Sequence, residues 1–111
     1  MLTKIININN NVGGGQQVSN SKVPKQGDRH YREYLQMTEQ TNNQLQRSAR
    51  SYSKELSIHR DKIVNPALHD KDWNTRNDKA KAGLQSYWSK EIESLQMKLD
   101  WANGILQERG L

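Results

Sequence analysis

Residues 28–64 read DRHYREYLQMTEQTNNQLQRSARSYSKELSIHRDKIV, and the spacing of their apolar positions decides the fold class. Tyr31, Leu35, Thr38, Asn42, Leu45, Ala49, Tyr52, Leu56, His59 and Ile63 follow one another at alternating steps of four and three. That is the a/d rhythm of a heptad, and no glycine or proline interrupts it. The pattern predicts one helix from Asp28 to Val64, with Asp28 as its N-cap after Gly27. Thr38, Asn42 and His59 make this coiled-coil seam only partly apolar.

Downstream, Asn65-Pro66 ends the helix, because a residue before proline disfavours α geometry and proline has no N–H to donate. Residues 64–74 (VNPALHDKDWN) are read as a connection holding one helical turn that Pro66 starts. Thr75-Arg76-Asn77-Asp78 then resembles a capping box. A second helix is expected from Arg76 to Gln107, with Ala80, Leu84, Trp88, Ile92, Leu95, Leu99, Ala102 and Leu106 along one face. Gly110 suits its end, and Gly104 is expected to fray the last turn.

Two long helices with a short link pack antiparallel. The expected fold is therefore all-α: an antiparallel two-helix hairpin over 28–111, completed by dimerisation or by a partner. Completion is needed because only 32% of the 111 residues are hydrophobic, and a lone hairpin shields one stripe per helix. Met97, Trp101 and Ile105 widen the apolar face of the second helix, so they are the expected protein-partner or homo-oligomer surface, unless the N-terminal segment folds back to cover them.

Upstream, residues 1–27 carry Lys4, Lys22 and Lys25 and no acid, and residues 9–27 are rich in Asn, Gly, Gln and Ser. This is read as a flexible basic extension with too little apolar surface to offset ordering entropy. Gly13-Gly14-Gly15 lacks the lysine and hydroxyl residue of a phosphate loop. No run reaches the roughly 20 apolar residues of a membrane span, nor the pattern of a cleaved signal peptide. The expected location is the cytoplasm, or outside the cell by export without such a signal.

Chemistry is sparse. Without cysteine there is no thiol catalysis and no thiolate zinc site. His59 lies on the seam and His69 in the connection, near Asp61, Asp70 and Asp72, and these two histidines are the candidate bases. Together with the aspartates they raise the idea of a metal site at the turn, although their spacing matches no ligand motif. No metal or cofactor is therefore assigned, and the residues point away from an enzyme. Arg47, Arg50 and Lys54 recur at i, i+3 and i+7, a row able to track a phosphate backbone. Acids such as Glu55 interrupt that field, as they do on any solvated helix face.

The line Ala49…Leu56-x-x-His59-x-x-Lys62-Ile63-x-Asn65-Pro66, then Trp73, then Gly83-Leu84-x-x-Tyr87-Trp88-x-Lys90-Glu91-Ile92 resembles helical C-terminal segments of bacterial polymorphic toxin proteins of the rearrangement-hotspot type. The resemblance covers residues 49–107. It implies a bacterial origin and a toxin-associated or effector role, and it carries no catalytic residue across. The functional expectation is a small helical protein–protein interaction module in such a system. The alternative is a nucleic-acid-binding or RNA-cleaving toxin module that uses the basic helix face.

Overall fold

The computed structural model describes residues 23–111. Four helices follow in order: α1 (Tyr31–Thr38), α2 (Asn42–Val64), the short α3 (Pro66–His69) and α4 (Asp78–Glu108), with a 3-10 turn at Trp73–Thr75 before α4. Among the described residues there is no strand, as expected of an all-α chain. Most of the basic extension, residues 1–22, lies outside the described residues, as do the glycine triplet and the expected flexibility there. Residues 23–27 already belong to the fold. Pro24 is buried, and a turn closes where the Lys25 N–H donates to the Asp28 carboxylate at 2.8 Å.

The chain divides into two compact units. The described part of the first is residues 23–45 with 100–111. The second is residues 46–99. Both long helices contribute residues to each.

In the first unit the predicted long helix is broken. Helix α1 ends at Thr38 and α2 begins at Asn42, although nothing between them is a glycine or a proline. Local chemistry favours the break. Thr41 Oγ1 accepts the Gln44 N–H at 3.2 Å, while Gln44 Oε1 accepts the Thr41 N–H at 2.9 Å. This reciprocal box satisfies two donors that a helix start leaves orphaned. On the other side of the break, Arg109 supplies the missing donors to the end of α1. Its guanidinium donates to the carbonyls of Thr38 and Gln40 and to Asn42 Oδ1, each at 2.9 Å. The start of α1 also differs from expectation. His30, with φ of 69°, is its N-cap, and Asp28 turns upstream to Lys25 instead of capping.

The break lets α1 lie on residues 100–108 of α4. Tyr34 meets the Trp101 indole edge-on at 5.6 Å, and the His30 ring lies 6.3 Å from it. Met37, Leu45, Trp101, Ala102, Ile105 and Leu106 form the buried core of this unit. The C-terminus closes in a double-bonded motif. The Gly110 N–H reaches the Gln107 carbonyl at 3.0 Å and the Leu111 N–H reaches that of Leu106 at 2.9 Å, with Gly110 at φ of 83°. Gly104 does not fray α4, which runs unbroken to Glu108.

In the second unit, residues 46–64 of α2 and 78–99 of α4 form the antiparallel hairpin. Lys62 sits over the Trp88 ring and Arg60 donates to Gln96 at 2.8 Å, so the α4 number falls as the α2 number rises. Asn65-Pro66 ends α2, and Pro66 starts α3, as read from the sequence. Helix α4 starts two residues later than expected. Asn77 Oδ1 accepts the Ala80 N–H at 2.8 Å, whereas the Thr75 hydroxyl donates back to the Asp72 carbonyl. Asn77 is therefore the cap, because Thr75 is spent in the 3-10 turn. Trp73 stacks on Trp88 at 5.9 Å and 26°, and Lys81 lies over Trp73 at 5.5 Å. The stack fastens the connection to α4.

Thr41→Ala and Arg109→Met are each expected to cost about 1 kcal/mol, the scale of a lost cap or an exposed charge-assisted bond. Hydrogen exchange should show α1 amides losing protection in both variants. Unchanged protection in Arg109→Met would show that the break holds without it.

Candidate functional site

The second unit places titratable groups around its turn. Asp61, in the last turn of α2, accepts the Asn65 side-chain amide at 2.8 Å and pairs with His69 Nε2 at 2.6 Å. Pro66 starts the single turn of α3 that brings His69 back to Asp61, eight residues earlier. An ionised carboxylate only accepts, so His69 Nε2 carries the proton and Nδ1 keeps the lone pair when the ring is neutral. The bond from His69 is the first cause, and that from Asn65 the second, of an Asp61 pKa held below the usual carboxylate value. A carboxylate that orients an imidazole is half of a general-base arrangement.

A second pair lies beside it in sequence. Arg76 grips Asp70 with both arms, Nε to Oδ2 at 2.5 Å and Nη2 to Oδ1 at 3.1 Å. Arg76 thereby lowers the Asp70 pKa, and Asp70 raises that of Arg76. Asp70 also takes the Asp72 N–H at 3.2 Å. Its carboxylate is thus committed to closing the connection.

These pairings dispose of the metal site raised at the turn. Asp61 is taken by His69 and Asn65, Asp70 by Arg76, and among the described residues no three His, Cys, Asp or Glu converge on one point. His59 is half-buried, with Nδ1 enclosed and without a hydrogen-bond partner, so that nitrogen is not presented to a substrate. Of the two candidate bases, His69 is the one held by a carboxylate.

The other expected residues separate. Arg47, Arg50 and Lys54 are all exposed on α2, and among the described residues they enter no ion pair. Trp101 and Ile105, expected at a partner surface, are 3% and 5% exposed. The first unit's own α1 side already covers them, since the break after Thr38 brings Tyr34 over the indole. Met97 is half-buried. The apolar widening of α4 at Trp101 and Ile105 is thus core, and the apolar residues that stand furthest into solvent are others: Val64 (75% exposed), Leu68 (78%) and Tyr87 (59%), ahead of Leu111, Val23, Leu35 and Ile58. Sequence reasoning missed Val64 and Leu68, although their place on either side of Pro66 put them at the tip of the hairpin.

No family model, curated protein or solved structure matches the chain. Among the described residues no helix is long and apolar enough to cross a membrane.

The depressed Asp61 pKa makes a pH prediction. A group whose folded pKa lies below its unfolded value, about 3.9, contributes stability that is present above that value and lost as pH falls through the folded one. Wild-type thermal stability is expected to drop from about pH 4 downward. Asp61→Asn should start lower at neutral pH and drop less. Parallel curves for the two proteins would show that the Asp61–His69 pair contributes nothing.

Proposed function

We propose that the protein is a small helical association module of a bacterial toxin or effector system, docking a protein partner through the second unit. One observation carries this reading: between residues 46 and 99 only Leu56 and Trp88 are buried, while Val64, Leu68 and Tyr87 stand out in solvent. A hairpin so thinly filled gains more from covering its apolar residues than a packed domain does. The toxin or effector setting rests on the resemblance of residues 49–107 to polymorphic toxin segments. The protein would act in the cytoplasm or after export without a cleaved signal peptide.

A pull-down with the full chain tests this. A protein partner is expected to remain bound after nuclease treatment, and Val64→Glu with Leu68→Glu should release it. Both residues are exposed, so the double variant should keep the wild-type helical circular dichroism. Retention by the double variant would remove this surface from the proposal. Sedimentation over a concentration series tells a second copy from a foreign partner.

The alternative, nucleic-acid binding with or without RNA cleavage, has one specific observation in its favour: Arg47, Arg50 and Lys54 stand exposed in a row on α2. Their contacts would be with phosphates, with His69, oriented by Asp61, as the base for cleavage. This reading expects affinity to fall steeply with salt and to vanish in Arg47→Glu with Arg50→Glu. Binding unchanged in that variant rejects it.

A further inference from the structure

At the break after α1 the sequence pattern and the observed backbone part company. The four-three spacing from Tyr31 to Ile63 runs straight through residues 39–41, yet the broken helix leaves two of its positions unused: Leu35 is 40% exposed and Asn42 lies in solvent. Little separates the broken chain from a continuous one. Glu39 is already right-handed, at φ −92° and ψ −5°, and its N–H and that of Gln40 reach the Gln36 and Met37 carbonyls at 3.2 and 3.1 Å. The difference falls on Gln40 and Thr41, neither of them a glycine or a proline. Straightening there exchanges the Arg109 bonds and the Thr41–Gln44 box for backbone bonds of the helical ladder.

Packing decides between the two states. Arg109 meets Asn42, which sets the last turn of α4 level with the start of α2. A continuous helix would carry Tyr31 about 16 Å past Asn42, and so beyond that last turn. Met37, Trp101 and Ile105, now 6%, 3% and 5% exposed, would then lose the cover that α1 and α4 give each other. A lone chain therefore stays broken. A second copy removes the penalty, because its straightened α1 is identical to the helix that left.

We propose that α1 exchanges between two copies of the chain: α1 and α2 join into one helix, and each α1 lies on residues 100–108 of the other copy, with Tyr34 against Trp101 as before. The two hinges lie side by side, where Leu35 finds cover. Exchange of an identical element closes a two-fold dimer. It repeats contacts the chain already makes, so no new complementary surface is needed. It is separate from the Val64 and Leu68 surface and does not rest on it.

Sedimentation equilibrium of the full chain tests this. Thr41→Ala with Asn42→Ala and Asn43→Ala removes the cap and places the best helix former at three positions around the hinge. This triple variant should dimerise at least tenfold more tightly than the wild-type chain. Replacing its Asn42→Ala by Asn42→Pro should undo the gain, since proline suits the first position of α2 and breaks a continuous helix. Both should keep the helical circular dichroism, and adding Val64→Glu with Leu68→Glu should leave the triple variant dimeric. The chain has no cysteine, so a spin label at Arg32→Cys, exposed on α1, is unique. Triple-variant chains carrying that label, refolded with isotope-labelled ones that lack it, should broaden the Gly104 amide of the isotope-labelled copy. A triple variant that stays monomeric, a dimer that Asn42→Pro leaves intact, or one that the Val64 and Leu68 changes dissolve would each overturn the proposal. So would a dimer whose Gly104 signal stays sharp beside the spin-labelled copy.

Discussion

A guanidinium holds open a break that the backbone has no steric reason to make. Residues 39–41 carry no glycine or proline, and an unbroken helix would satisfy every amide in them. Breaking it frees carbonyls at the end of α1 and amide donors at the start of α2, each costly if left unpaired. Arg109 takes the carbonyls of Thr38 and Gln40, and the Thr41–Gln44 box takes the donors. Arg109 is held in turn by the closure of α4, where Gly110 in the left-handed region returns two N–H groups to the last turn. The end of α1 and the end of α4 are therefore coupled through a few oriented bonds.

That break changes what the apolar residues do. With α1 a separate element, Trp101 and Ile105 become the centre of a core instead of a surface, and the first unit is well filled for its size. The second unit has no equivalent of α1. Its hairpin relies on Leu56, on the half-buried stripe from Leu84 to Leu99 and on the Trp73–Trp88 stack. The unequal filling of the two units buries Trp101 and leaves Val64 and Leu68 as apolar surface.

Much of this was legible in the residues. The α4 stripe from Ala80 to Leu106 holds along its length with none of its eight positions exposed, because a 3.6-residue period has one structural solution. Pro66 and Gly110 act where their backbone chemistry requires. The heptad over 28–64 misled because Thr41-Asn42-Asn43-Gln44 competes with it, and a helix start written inside a periodic run wins only when something caps the helix before it. That something, Arg109, lies 71 residues beyond Thr38, a distance no local pattern encodes. The seam suffers accordingly: Leu35 is 40% exposed and Asn42 lies in solvent. At the turn, proximity in sequence correctly grouped His69 with Asp61. It could not foresee that Arg76 would claim Asp70 and so leave a pair in place of a metal-binding cluster.

The same pairings shape the charge that the second unit shows to solvent. Asp61 and Asp70 are tied into local bonds that favour their ionised forms, so each negative charge is met at close range by His69 and Asn65 or by Arg76. Arg47, Arg50 and Lys54 have no such match among the described residues, and their charge extends into solvent. Such a row acts mainly on encounter, raising the association rate with an acidic surface in a salt-dependent way, while buried apolar contact decides how long a complex lasts. Salt should therefore act on the association rate through Arg47, Arg50 and Lys54, and the dissociation rate should follow Val64 and Leu68. A protein partner separates these two dependences, whereas a nucleic acid held by phosphates alone ties both to the arginines.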